Sequence, residues 1–244
     1  MPETEIWITR LFNDHFAALG NWFLGLAGLA HQPRPWATFI TMQILVALLI
    51  VVVFALLRVR LSFDRPGKFQ HVFELVYEFL HDQTHAQIGH EGQKYLHYFG
   101  TIFLFILLSN LVSLIPGLEA PTMYPGVTLG CAMATFLYYH MVGIRANGIL
   151  KYLAHFAGPL WWLAWLMIPV EIVSHLARPL SLTIRLFGNM YAGEQVTTVF
   201  LKVTKFGVPA IFMGLHLFVA VVQAYIFMLL TMMYVGSAVA HEEH

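Results

Sequence analysis

The chain has 244 residues, of which 59% are hydrophobic and 11% charged, and its mean hydropathy is +0.70. Soluble domains contain about 25% charged residues, so the composition excludes an ordinary soluble protein and predicts an integral membrane protein. The formal net charge is zero and no basic block occurs, which argues against nucleic acid as a partner. The single cysteine, Cys131, cannot form an internal disulfide.

The first 36 residues precede the spanning segments and are rich in Trp and Phe. The stretch 16–30 is moderately apolar and ends in small residues, as a secretory signal does. However, the residues before it carry more acids than bases, the reverse of a signal's basic flank. We therefore expect a retained helix that lies at the membrane interface, on the outer side.

Three apolar runs have the length of a spanning helix, about 20 residues. They cover Trp36–Leu57, Tyr95–Ile115 and Gly126–Val142. Bases follow the first and third runs, whereas the loop after the second run has an acid and no base. Because basic loops stay inside, the N-terminus is predicted outside and the C-terminus in the cytoplasm. The residues that set this orientation are Arg58, Arg60, Glu119, Arg145 and Lys151.

The polar, His-rich stretch Gly67–Ile88 lies between the first two spans. Its apolar residues recur at helical spacing, which predicts an amphipathic helix on the membrane surface. The two remaining runs, Gly158–Leu201 and Phe206–Val239, are longer than a span. The first would measure about 66 Å as a helix at 1.5 Å per residue, about twice the hydrocarbon core. Each run is therefore strongly tilted or broken, and Pro169 and Pro179 would kink the first.

The first long run contains several ionisable residues, each costing about 2.5–3.5 kcal/mol at membrane depth. At 100° per residue they form one polar face, with Ser174, Ser181 and Gly188 beside it, while Glu194 points to the opposite side. The residues of that face are Glu171, His175, Arg178, Arg185 and Asn189.

Arg185 is the most informative of these residues because an arginine stays charged in a protein. One interpretation is a structural ion pair with Glu171, two heptads earlier, and Arg178 could form the same pair. The other is a functional cation, oriented by Asn189, which repels cations and lowers the pKa of a carboxylate brought near it.

The last run contains His216 and Gln223 on one face, seven residues apart. If this helix faced Glu194, the Glu and His would form a possible proton-transfer step, since histidine can relay protons. Single histidines in four of the apolar segments also allow a haem-bearing redox subunit, although nothing pairs them. No phosphate-binding loop, nucleophile elbow, CxxC or HExxH occurs.

The segment Ser181–Glu194, Ser-Leu-Thr-Ile-Arg-Leu-Phe-Gly-Asn-Met-Tyr-Ala-Gly-Glu, resembles subunit a of the bacterial F-type ATP synthase. Further similar segments are Ser109–Gly117, His216–Phe227 and His241–His244, so the resemblance covers roughly 37–244. It implies a stator subunit of a bacterial inner membrane, without catalytic chemistry of its own, that couples proton translocation to ATP synthesis. The implied partners are the c-subunit ring, the b-subunit peripheral stalk, the catalytic head and membrane lipid, and no cofactor or metal is implied.

The resemblance also implies residue roles. Arg185 corresponds to the stator arginine that faces the c ring and separates two half-channels. Glu194 corresponds to the acid of the outer half-channel, with His216 as its partner. The other implied positions are Gln223 near the arginine, Asn189 one turn after it, Asn110 in the outer channel, and Glu171 with Ser181 near it on the inner side.

The predicted fold is an all-α membrane protein with three spanning helices, a surface amphipathic helix and a C-terminal hairpin of two long tilted helices. We expect one membrane domain over 1–244, divided into a segment 1–36, the first spans and surface helix at 37–155, and the proton-path hairpin at 156–244. The alternatives are a stand-alone secondary transporter or channel, which would be expected to show two inverted halves, and the haem-bearing subunit.

Overall fold

The computed structural model describes residues 6–26, 28–62, 67–115, 117–149, 152, 162, 164–204 and 207–239. These ranges are predominantly helical and contain no strand, which confirms the all-α prediction. The segment His241–His244 and Lys151 lie outside the described residues. The helices are α1 (Trp7–Leu26), α2 (Thr38–Arg60), α3 (Lys68–Ile88), α4 (Leu96–Val112), α5 (Pro125–Asn147), α6 (Ala164–Val203) and α7 (Val208–Val239).

Four helical segments of the described residues are long and apolar enough to cross a membrane. They are α2, α4 with the 3-10 turn His90–Tyr95 that precedes it, α5 and α7. The three predicted spans are thus confirmed, with different ends. The third extends beyond Val142 to Asn147 and stops where Gly148 adopts a φ of 77°, a left-handed conformation that glycine allows and helices commonly end on.

α6 is a single helix of 40 residues that runs through both Pro169 and Pro179. At 1.5 Å per residue it is about 60 Å long, and the 32 residues of α7 give about 48 Å. A hydrocarbon core of about 30 Å cannot enclose either helix upright. The helix continues through both prolines, so the predicted break at these residues is wrong. Strong tilting of α6 stays a prediction.

The core lies where α4, α5, α6 and α7 meet. α7 contributes a stripe at four-residue spacing, Ala220, Ala224 and Met228, each fully buried. The small residues at the first two positions let the neighbouring helices approach closely, as in other membrane bundles. α6 packs against this core along one side only, which leaves its other side exposed.

α1 and α3 lie at the margins of the bundle. The buried Asn13 amide joins α1 to the backbone of Trp36 at both its carbonyl and its N–H, at 3.1 and 2.9 Å. α3 exposes Phe69 and Val72, whereas its Leu80 packs into the core. An exposed apolar flank on a polar helix fits the predicted position on the membrane surface.

Candidate functional site

Arg185 projects from the exposed side of α6. It lines a groove of about 450 Å³ together with Ala177, Leu180, Ser181 and Ile184. Among the described residues, no carboxylate lies within 4.0 Å of its guanidinium. A permanent cation is thus presented at an apolar surface, where a partner's carboxylate would be strongly attracted.

The predicted polar face of α6 divides in the structure. His175 is buried against the bundle, whereas Arg185 and Ser181 face outward. The residues that the helical projection places on one face of α6 are therefore partly packed against the bundle and partly exposed. The alternative ion pair of Arg185 with Glu171 is excluded, because fourteen helical residues separate them by about 21 Å.

Glu171 pairs with His175 instead, at 3.1 Å. The expected proximity of Glu171 and Ser181 is also wrong. Ten residues place them about 15 Å apart along the helix. Ser181 lies one turn from Arg185, in the same groove.

Asn189 and Gln223 join the two long helices one turn beyond Arg185. The Asn189 amide nitrogen donates to Gln223 Oε1 at 2.7 Å. Gln223 is 2% exposed, and its own amide nitrogen has no hydrogen-bond partner among the described residues. This bond holds the two helices together next to Arg185 and leaves one buried donor available beside it.

A second cavity, of about 290 Å³, brings together the acid and the histidine of the two long helices. Glu194 of α6 and His216 of α7 both line it, as does Ser113 at the end of α4. The Glu194 carboxylate lies beside the backbone amide of Ala120, and its Oε2 is buried without a partner among the described residues. The structure therefore meets the condition of the hypothesis that the two long helices face each other at Glu194 and His216.

His216 is held by groups from two other helices. Its Nε2 lies 3.0 Å from the Ser113 hydroxyl, and its ring contacts the backbone at Gly193. A Cβ added at Gly193 would lie 2.3 Å from His216 Nδ1, so only glycine leaves room for the ring. Sequence reasoning assigned no role to Ser113 or Gly193. The cluster Ser109, Asn110 and Ser113 at the end of a span was the available signal for the serine.

Asn110 continues this polar group toward the middle of the bundle. It is fully buried, donates to the Ala220 carbonyl at 3.2 Å and accepts from the Thr122 hydroxyl at 2.7 Å. The Ser113 hydroxyl lies 2.8 Å from the Asn110 carbonyl. Asn110 therefore adjoins the cavity through Ser113, while its amide group also ties α4 to α7.

At the other end of α6, Glu171, His175 and Tyr139 form a hydrogen-bonded row. His175 Nδ1 lies 2.8 Å from the Tyr139 hydroxyl on α5, and Nε2 faces Glu171. The Arg178 guanidinium stacks over the rings of Tyr139 and Tyr234, at 5.8 and 5.0 Å from their centroids. Arg178 is thus stabilised by aromatic faces, which differs from the predicted ion pair with Glu171.

Comparison with known proteins gives consistent matches. A family model described as "ATP synthase A chain" matches residues 39–236. The chain is 67% identical over 232 residues to "ATP synthase subunit a" of Solibacter usitatus, covering 95% of this chain and 100% of the relative. It is 43% identical over 243 residues to the protein of that name in Koribacter versatilis, covering 99% of both. A relative in Syntrophotalea carbinolica, "ATP synthase subunit a 1", is 42% identical over 210 residues, 86% of each chain.

These matches support neither the stand-alone transporter nor the haem-bearing subunit. Within the described residues, no group of three or more His, Cys, Asp or Glu is arranged to hold a metal ion.

Proposed function

We propose a proton path and its residues from the premise that this chain belongs to the ATP synthase A chain family, and is thus a non-catalytic, multi-pass stator subunit of the F-type ATP synthase. The single observation that carries the proposal is the position of Arg185. It is an exposed cation on an apolar surface, lying along α6 between the Glu194 cavity and the Glu171 row. Two polar regions separated by a fixed charge are what two half-channels require.

The outer half-channel in this proposal is the cavity that Glu194, His216 and Ser113 line. A proton enters there from outside and passes by Asn110 toward Gln223 and Asn189, which lie beside the arginine. Glu194 Oε2 and Gln223 Nε2 are buried without a hydrogen-bond partner among the described residues. They support this route, since such atoms are costly unless they bind water or another polar group.

Charge explains the coupling to rotation. A carboxylate of the c ring takes up the proton, becomes neutral and can turn into lipid. After nearly a full turn the carboxylic acid meets Arg185, which stabilises its ionised form, and the proton leaves near Glu171 on the inner side. The same cation blocks a direct leak between the half-channels. Each elementary charge moved is worth about 2.3 kcal/mol per 100 mV, so several protons are needed per ATP.

The remaining assignments follow from this arrangement. We place the chain in a bacterial inner membrane, with the N-terminus outside and the C-terminus in the cytoplasm, because Arg58, Arg60 and Arg145 lie at one end of their spans. Its partners are the c ring, the b-subunit stalk and, through the assembled complex, the catalytic head. We assign the proton as the transported ion, because a Glu and a His share the outer cavity.

Replacing Glu194 tests the outer half-channel. In Glu194→Gln we expect ATP-driven pumping and passive proton flow to fall together by roughly tenfold or more, because the cavity loses its proton acceptor. Both rates would be measured in inverted membrane vesicles containing the whole complex. Gln195→Ala, an exposed neighbour outside the cavity, serves as the control and should behave like wild type. Normal flow in Glu194→Gln would exclude this residue from the path.

Cysteine cross-linking tests the surface that faces the ring. Ile184 is 59% exposed beside Arg185, whereas Leu182 is 2% exposed on the packed side. We expect Ile184→Cys to form an oxidative cross-link with a cysteine on the outer helix of the c subunit. Leu182→Cys should form none. The reverse result would mean that another face of this chain meets the ring.

A further inference from the structure

We propose that Glu171 and His175 act as a single proton-exchange site on the inner side of Arg185, with Tyr139 holding the imidazole in place. This inference rests on the proposed function and goes beyond it by adding His175 and Tyr139. In the proposal above, the inner path has one acid; the structure pairs that acid with a buried base.

The geometry of the pair suits the sharing of one proton. Glu171 Oε1 and His175 Nε2 are 3.1 Å apart, one helical turn from each other on α6. Glu171 is 34% exposed and His175 only 10%, counting side chains. The carboxylate can therefore exchange with water while the imidazole stays inside. A neighbouring hydroxyl fixes the ring, since Tyr139 lies 2.8 Å from Nδ1 and stacks beside the ring.

The proton balance is simple. In the empty site the carboxylate is ionised and accepts the Nε2–H, while the Tyr139 hydroxyl donates to Nδ1. Loading adds one proton at Nδ1, and the Tyr139 hydroxyl turns so that its oxygen accepts the Nδ1–H. The proton that was already on Nε2 then has two possible positions. It stays on His175, which faces an ionised carboxylate, or it moves to Glu171 Oε1, which donates it back to Nε2. The two loaded forms differ only in the location of this one proton between Oε1 and Nε2.

The groups around the pair favour an empty site that carries one negative charge, on Glu171. The charged and titratable groups that face the pair are Arg178 on α6, His140 on α5, Tyr152 and Tyr234. The fixed charge of Arg178 balances the carboxylate in the empty site. It also limits the loaded site to one extra proton, since a second would leave two unbalanced cations in a buried region.

His175→Gln is the decisive variant. Glutamine keeps an N–H that can donate to Glu171 but cannot take up a proton. We expect passive proton flow through vesicles stripped of the catalytic head to fall roughly tenfold in His175→Gln, as far as in Glu171→Gln. We also expect the rate of passive proton flow in His175→Gln to depend less on the pH of the inner side than the wild-type rate does. His97→Gln is the matched control, because it makes the same substitution at an exposed histidine of α4 that lies outside the row. It should keep the wild-type rate and pH profile.

Tyr139→Phe provides a second test in case His175→Gln does not assemble, since it keeps the buried ring and removes only the hydroxyl. It should reduce flow less than His175→Gln does and shift the pH profile. Wild-type flow and pH profile in either His175→Gln or Tyr139→Phe would overturn the proposal and leave the row as a structural contact between α5 and α6. Arg185→Ala, measured in parallel, distinguishes failure of the shared Glu171–His175 site from failure of the proposed function. If it abolishes coupled pumping while His175→Gln changes nothing, the shared site is wrong and the proposed function stands. If Arg185→Ala has no effect, the proposed function itself fails.

Discussion

Replacing Arg185 by alanine is expected to abolish ATP-driven proton pumping while passive proton flow through the membrane sector is kept or increased. The guanidinium is the fixed charge between the Glu194 cavity and the Glu171 row, and it faces outward where a ring carboxylate would pass. Without it, a ring carboxylic acid has no cation to favour its ionisation, and protons are no longer excluded from passing directly between the half-channels. The effect on coupling should therefore be nearly complete.

The measurement compares pumping and leak in inverted vesicles that contain the whole complex, with ATP hydrolysis as the check on assembly. Lys202→Ala removes an exposed base from the far end of the same helix and should leave both rates unchanged. Arg185→Lys keeps a charge but loses the planar, delocalised group, and we expect it to restore little coupling. Unchanged coupled pumping in Arg185→Ala would return the arginine to a structural role.

Gly193→Ala is expected to have the second largest effect, although the residue has no functional group. The added methyl carbon would lie 2.3 Å from His216 Nδ1, closer than atoms can approach, so the imidazole must move. Movement breaks its contact with the Ser113 hydroxyl, which is 3.0 Å away. Displacing a group in a transfer path by about 1 Å can cost on the order of 100-fold, and we expect pumping and passive flow to fall together by a factor of that order.

Gly130→Ala on α5 is the matched control, because a Cβ there meets nothing within 4 Å. Alanine favours a helix over glycine by about 1 kcal/mol, so helix stability by itself predicts no harm from either change. A defect limited to Gly193→Ala would assign the loss to the His216 ring. Equal, normal flow in both variants would mean that the ring can shift without consequence, and that its position is not part of the path.

The predicted proton-path residues fall into two groups when compared with the structure. For Glu194 and His216, the family resemblance implied that the two residues are partners, and both side chains line one cavity. For Glu171, the helical projection indicated a shared face with Arg185. It could not indicate that His175, one turn away, would be the partner of Glu171 on the side packed against α5. Periodicity gives the angle of a side chain around its own helix, but not where a neighbouring helix covers it.

The same limit applies to Gly193 and Ser113. In the sequence, Gly193 is one of two glycines in the motif. That this position must lack a Cβ depends on His216, which lies on another helix 23 positions later. The sequence shows Ser113 only as a polar residue near the end of a span. Its contact with His216 requires α4 and α7 to pack side by side. Such close approaches are properties of a packed bundle.

The motif around Arg185 was identified through its resemblance to a family. The residues alone also predicted the membrane class, the first three spans and the excess length of the last two helices. These features depend on local composition and spacing, because transfer of apolar surface and helical geometry act within one segment. The tertiary structure alone decided that α6 passes unbroken through two prolines, that its polar face divides, and that Glu171 pairs with His175 rather than an arginine. Those outcomes depend on which neighbour occupies each side of a helix. That choice is fixed by the packing energy of the whole bundle.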